Sequence, residues 1–228
     1  MSFSRFLFPV ILGIGGVIVL ASLGAWQLQR LAWKQAILSE MDAVLTGEPR
    51  TLAEAIDPQY VRFAPVRVSG RTSGAEIHVL HSTGQGAGYR LISAFELADG
   101  ERILLDEGLI AADVKDMVRP SRDLTVVGNL HRPDDVTSST PAPDREKNIW
   151  YGRDLDQMAE ALDTDAVYVV ARRVEAGVAV ATPLPLDTSG IANNHLGYAI
   201  QWFGLALVWA GMTGYWLWRK RRGAPEEN

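Results

Sequence analysis

"IANNHLGYAIQWFGLALVWAGMTGYWLWRKRR", residues Ile191 to Arg222, decides the architecture of this 228-residue chain. Between His195 and Arg219 it holds 23 residues, Leu196 to Trp218, without a charge. That exceeds the roughly 20 residues a helix needs to cross a hydrocarbon core. Its mouth is Asn193, Asn194 and His195, three polar groups that lose hydration if they enter lipid. A second uncharged run, Phe6 to Gln29, lies between Arg5 and Arg30. Both runs are predicted transmembrane helices, and membrane lipid is the first partner they imply.

The residues between the spans, Arg30 to Asp187, carry 17 Lys and Arg against 25 Asp and Glu, a net charge of −8. That length suits one domain able to bury its own core. Its acidity argues against nucleic acid as a partner, because nucleic acid binds a basic face. The expected organisation is a cytoplasmic N-terminus (1–5), a first transmembrane helix (6–29) and an extracytoplasmic domain (30–187) that begins with an amphipathic stalk helix (30–46). A linker (188–195), a second transmembrane helix (196–218) and a cytoplasmic basic tail (219–228) follow. Orientation rests on Arg5 and the cluster Arg219 to Arg222 at the terminal ends of the spans, against only Arg30 and Lys34 near their inner ends. Positive flanks stay in the cytoplasm, so both termini are expected there and the domain is expected to be translocated. The chain has no cysteine, which excludes thiol catalysis, thiolate metal sites and disulfides. A cleaved signal peptide is the alternative for the first run, but an A-x-A site is lacking and the helical pattern runs on through "LQRLAWKQAILSEMDAVL".

In the stalk, Ile37, Leu38, Met41, Val44 and Leu45 recur at helical spacing, with Lys34, Gln35, Glu40 and Asp42 opposite, and Gly47 and Pro49 end the pattern. Strand patterns follow in "YVRFAPVRVSG", "AEIHVLHS", "YRLISAFEL", "RILLDEGLI", "LTVVGNLH" and "AVYVVARR", separated by turn-forming pieces such as "TGQGAGYR" and "LADGER". One helix interrupts them, "DLDQMAEALD", with Asp154 as its N-cap. "RPDDVTSSTPAPDREKN" reads as a surface loop and "ATPLPLDTSGIA" as an extended linker. The fold class is therefore a membrane protein whose two transmembrane helices flank an α+β domain, an antiparallel sheet or partly open barrel with one or two short helices.

The second span has a seven-residue repeat. His195, Trp202, Trp209 and Trp216 share one column, and Gly197, Gly204 and Gly211 another. At about 100° per residue the columns lie about 200° apart. The glycine column is expected to meet the first span at Gly13 and Gly16, leaving the tryptophans turned elsewhere.

Two groups invite a chemical reading. Trp26, Arg30 and Trp33, spaced four and three, share a helical face where a guanidinium can lie between two indoles. This is either an interfacial anchor or a rim that holds an anion such as a carboxylate. His195 is either a wetted helix-start residue, with Asn193 or Asn194 capping the helix, or an axial ligand offered to haem iron. Trp202 lies two turns deeper on its face, and Tyr198 and Phe203 are near. His78 and His81, three apart on a strand, point to opposite faces and make a poor metal pair. No nucleophile elbow, P-loop or HExxH occurs. An extracytoplasmic enzyme built on His131 with Asp134 and Asp135 needs those side chains to converge.

"LGAWQLQRLAWKQAIL" at the end of the first span and "NNHLGYAIQWFGLAL" opening the second resemble the two signature segments of the surfeit locus protein (Surf, Shy) family. "NIWYGRDLDQMA" is similar to the family's tryptophan-bearing segment, and "TPLPLD" precedes the second span as in relatives. The resemblance covers essentially the whole chain. It implies a non-enzymatic assembly factor for cytochrome c oxidase, multi-pass in a bacterial cytoplasmic (inner) membrane, with its domain in the periplasm. It implies as partners the oxidase catalytic subunit and other assembly factors. It also implies haem a as a transient cargo, with His195, within "NNHLGYA", as the histidine concerned. On that reading Arg30 faces a propionate, and Trp26, Trp33, Tyr198 and Trp202 supply apolar contact. The alternative is a scaffold that holds oxidase subunits without touching haem. One departure stands out. Where many relatives have "VNRGW", this chain has "LDEGL", with Asp106 and Glu107 in place of the polar and basic pair and Leu109 in place of the tryptophan.

Overall fold

The computed structural model describes residues 4–56, 62–83 and 86–222. Residues 1–3 of the expected N-terminus, Tyr60 and Val61 of the first expected strand, Gly84 and Gln85 of the expected turn, and residues 223–228 of the tail lie outside the described residues. In chain order the elements are α1 (Ser4–Thr46), α2 (Leu52–Ile56), β1 (Pro65–Thr83), β2 (Gly86–Leu97), β3 (Arg102–Ala111), β4 (Asp123–Leu130), β5 (Ile149–Trp150), α3 (Leu155–Leu162), β6 (Tyr168–Ala176) and α4 (His195–Arg222). They form two units: residues Met1–Glu40 with Ser189–Asn228, and Met41–Thr188.

The first unit is a helix pair. α1 joins the expected span and stalk into one 43-residue helix. Both α1 and α4 are long and apolar enough to cross a membrane, and only 11% of the apolar window of each is buried. A core helix of a soluble protein would be covered, so these faces are suited to lipid. The helices touch where α1 is smallest. A Cβ on Gly13 would lie 2.2 Å from Thr213 Cγ2, one on Gly16 2.3 Å from Trp209 Nε1, and one on Gly24 2.8 Å from Phe203 Cζ. The Trp209 indole N–H donates to the Gly13 carbonyl at 3.1 Å.

The facing of α4 differs from the sequence expectation. Gly197, Gly204 and Gly211 have open space around them, while Ala199 and Ala206 are buried. The buried column is therefore Ala199, Ala206 and the half-buried Thr213, about 60° from the tryptophan column. Small residues on both columns permit close approach. The alanine column also lets Trp209 bond to a backbone carbonyl, a polar pairing favoured where water is absent.

The second unit is a barrel. β1 pairs antiparallel with β4 through Pro65–Arg71 and with β2 through Gly70–Thr83. β2 pairs with β3, β3 runs parallel to β6, and β6 pairs with β4. The ring β1–β2–β3–β6–β4 thus closes on β1. Gly70 is the corner where β1 passes from one neighbour to the other, and a Cβ there would lie 2.1 Å from the Glu96 carbonyl oxygen. The two strands expected at "YVRFAPVRVSG" and "AEIHVLHS" are one strand that begins at Pro65, after Arg62 to Ala64, and is bent by an irregularity between Thr72 and Glu76. Gly74, at φ +86°, lets a turn-like "RTSGA" remain in the strand as a bulge.

Alternation then sorts the core. Val66, Val68, Phe95, Ile103, Leu105, Val126, Val169 and Ala171 fill the barrel, with Leu52 and Ala55 of α2 packed against them. Ile92, Leu104, Tyr168 and Val170 face outward beneath Trp150 and the apolar stripe of α3 (Leu155, Met158, Ala159, Leu162). Both faces of β3 and β6 are thereby buried. Asp154 caps α3, its carboxylate accepting the Gln157 N–H at 3.0 Å. α2 begins with a capping box: Glu54 accepts from the Thr51 N–H at 3.0 Å, and Thr51 accepts from the Glu54 N–H at 3.3 Å.

Asp106 and Glu107, the divergent pair, are buried. Asp106 accepts from Arg90 Nε at 2.7 Å, from the Tyr168 hydroxyl at 2.6 Å and from the Gly108 N–H at 3.1 Å. Glu107 accepts from the Ser93 hydroxyl at 2.6 Å and takes Arg122 through both oxygens at 2.6 and 2.7 Å. Each buried carboxylate therefore has its own arginine, the condition under which buried charge is tolerated. The linker crosses just above. Leu109 and Thr182 exchange N–H···O bonds of 2.7 and 2.9 Å. At Gly108, φ +116°, a Cβ would come within 2.0 Å of the Thr182 carbonyl oxygen, so the glycine is demanded by the crossing.

Candidate functional site

His195 is the first residue of α4 and half-buried. Its Nδ1 lies 2.8 Å from Gln27 Oε1 on α1. Lys34, two turns further along α1, donates from Nζ to the Ala192 carbonyl at 2.5 Å. Two polar ties therefore hold the tip of α4 against α1 where the apolar runs end. The Tyr198 N–H donates to the Asn194 carbonyl at 3.2 Å, which starts the helical ladder at Asn194.

Trp202 is half-buried and about 20° from His195 around α4, so the two share a face. Tyr198, 50% exposed, lies about 60° to the side. It lines a polar recess of about 410 Å³ with Asn193, Asn194, Gly197 and Gln201. Asn193 Oδ1 is buried without a hydrogen-bond partner among the described residues.

The expected Trp26–Arg30–Trp33 group forms. The Arg30 guanidinium carbon lies 4.6 Å from the Trp33 ring centre and 6.0 Å from that of Trp26. Arg30 sits one turn above Gln27 and about 60° around α1 from it, with Trp26 and Trp33 about 100° and 120° around in the same direction. Both indoles are exposed. The structure thus joins His195 to Gln27 and Arg30 to its indoles, as separate clusters along one helix end. Gln27 was not singled out by sequence. The available signal was its stripe: Gly13, Gly24 and Gln27 fall within about 60° of one another on α1, which places a polar side chain on the glycine face.

The other histidines serve the barrel. His78 is buried, with Nε2 3.0 Å from Glu76 Oε1, which also takes Arg119 at 2.7 Å. His81 lies on the opposite face of β1 as alternation requires, and burial lowers its pKa. His131 is buried, stacked on Phe63 at 5.7 Å and beside Tyr168 at 6.3 Å. Burial above all, then Arg153 and Arg62, lowers its pKa from 6.5 to about 4. Asp134 pairs with Arg62 at 3.5 Å and Asp135 with Arg153 at 3.0 Å, so both carboxylates near His131 in sequence are committed to ion pairs. Among the described residues no three His, Asp or Glu side chains gather as a metal-binding group.

Comparison with known proteins follows this architecture along nearly its whole length. The SURF1 family profile matches residues 15–207, from within α1 to within α4. The chain is 28% identical over 200 residues to the SURF1-like protein of Rickettsia felis, covering 83% of this chain and 88% of that one. It is 28% identical over 225 residues to surfeit locus protein 1 of Xenopus tropicalis, covering 88% and 71%. It is 25% identical over 234 residues to the human protein of that name, covering 89% and 74%. With a match from the first membrane-length helix through the barrel to the second, the chain belongs to the SURF1 family.

Proposed function

We propose that the protein is an assembly factor for a haem-copper cytochrome c oxidase. In this reading it receives haem a at the outer edge of a bacterial cytoplasmic membrane and aids its insertion into the oxidase catalytic subunit. The observation that carries the reading is the seating of His195: an imidazole held at the tip of α4, against α1, where the apolar runs end. Such a ring has one nitrogen to tie to the protein and one to offer to iron. Trp202 on the same face and Tyr198 beside it offer apolar contact to a flat macrocycle. Such contact contributes roughly 25 cal/mol per Å² of apolar surface covered. Arg30, pinned by Trp26 and Trp33 one turn above Gln27, presents its fork to a propionate. One axial bond at an open edge suits a carrier, because cargo must leave. The cations at Arg219 to Arg222 support a cytoplasmic C-terminus, and in this reading the opposite end of α4, with His195, faces the periplasm.

The reading is tested by purifying the full chain from cells that make haem a and recording its visible spectrum. The wild type should carry haem with bands displaced from those of free haem a. His195→Ala should lose them, and Arg30→Lys, which keeps charge but not the fork, should retain less. A His195→Ala spectrum equal to wild type overturns the assignment. Free haem alone in both preparations replaces the carrier with the scaffold reading.

A further inference from the structure

We infer that Gln27 is the positioning residue that makes His195 a ligand: it holds the ring in its Nδ1–H tautomer and leaves Nε2 with its lone pair. The inference rests on the reading of His195 as the haem ligand, but its first link stands on geometry alone. A neutral imidazole has one proton for two nitrogens, and only the bare nitrogen can bind a metal. Gln27 Oε1 lies 2.8 Å from Nδ1. A carbonyl oxygen can only accept, so Nδ1 must carry the proton. Nε2 then keeps its lone pair, on a ring edge that the Gln27 bond does not occupy.

Three features make this arrangement stiff enough to matter. Gln27 lies one turn from Gly24, where Phe203 packs so closely that a Cβ would be 2.8 Å from Cζ. The Lys34 to Ala192 bond, 2.5 Å, ties the approach to α4 two turns further along. His195 itself is half-buried, which limits competition from water for Nδ1. An amide acceptor also polarises the ring less than a carboxylate would. Gln27 therefore orients the ligand without strengthening the iron bond as a carboxylate does, in keeping with a cargo that is handed on.

The test uses the full chain in detergent with its histidine rings labelled by ¹⁵N. In the cargo-free protein the His195 signals, identified by their loss in His195→Ala, should report Nδ1–H, and Gln27→Leu should shift the ring toward Nε2–H. Gln27→Glu, which keeps an acceptor, should preserve Nδ1–H even if the leucine variant fails to fold. Haem a titration should then show affinity reduced about 10-fold or more in Gln27→Leu, as for lost partners of metal-bound histidines. Affinity should be restored in Gln27→Glu, and Gln27→Leu should have no further effect once His195 is alanine. An Nε2–H ring in the wild type, or a tautomer unmoved by Gln27→Leu, overturns the inference. If the tautomer behaves as stated but His195→Ala binds haem normally, the haem reading falls while the Gln27 assignment survives.

Discussion

Arg90→Met probes the buried charge beneath the linker. The Asp106 side chain is 0% exposed and that of Arg90 10%, with 2.6 Å between Nη2 and Oδ2. Arg90 also donates to the Leu184 carbonyl at 3.2 Å. Methionine keeps most of the volume but leaves Asp106, among the described residues, with the Tyr168 hydroxyl and the Gly108 N–H as its donors. Removing one partner of a buried pair costs about 3–5 kcal/mol, because the remaining charge has no counterion. For a domain of about 150 residues each kcal/mol moves the melting temperature by about 2–4 °C. A fall of about 6–20 °C is therefore expected when the full chain in detergent is melted and followed by near-ultraviolet circular dichroism. Adding Asp106→Asn removes the orphaned charge: the amide oxygen can still accept from the Gly108 N–H, and the amide NH2 can donate to the Tyr168 hydroxyl oxygen. The double variant should recover about 1–3 kcal/mol, a coupling that neighbouring residues show. An Arg90→Met melt within about 2 °C of wild type would refute the reasoning.

Acid should act through His131. Its folded pKa is about 4 against an ordinary 6.5, so the unfolded chain takes up the proton first. The stabilisation is complete above pH 6.5 and is lost as pH falls toward 4, by up to about 1.4 kcal/mol per pH unit. Melts of wild type and His131→Phe over that window should diverge, with the phenylalanine variant losing less; parallel curves would exclude this origin. Helix facing can be read from cross-links, because the chain has no cysteine of its own. A Cβ on Gly13 lies 3.2 Å from Thr213 Cβ, near the spacing of about 3.8 Å that a disulfide spans. Gly13→Cys with Thr213→Cys should oxidise readily, and Gly13→Cys with Gly211→Cys should not. The reverse pattern would restore the glycine column as the contact face.

Features with local causes were legible in the sequence. The spans follow from uninterrupted apolar runs, the stalk from its helical period, and α3 from its stripe and Asp154. The capping box at Thr51 and Glu54 was equally local and was overlooked. What periodicity did not reveal depends on partners far along the chain. The parallel pairing of β3 with β6 closes the barrel across residues 102–176. Asp106 and Glu107 stood out in the sequence only as a departure from the family pattern, because the arginines that accompany them in the interior, Arg90 and Arg122, lie elsewhere in the chain. In α4, heptad spacing identifies columns but not which one meets α1, and there a single bond from Trp209 to Gly13 accompanies the outcome. His195 stood out because a titratable ring at a membrane edge is conspicuous by type. Gln27 did not, because its importance lies entirely in what it touches.

The central claim is that the His195 imidazole supplies the axial ligand, and cavity complementation tests it most directly. His195→Gly should leave the full chain in detergent unable to give the wild-type spectrum when haem a is titrated in, and free imidazole added to that variant should restore it. A glycine variant that gives the wild-type spectrum without imidazole would contradict the account, placing the iron ligand elsewhere in the chain.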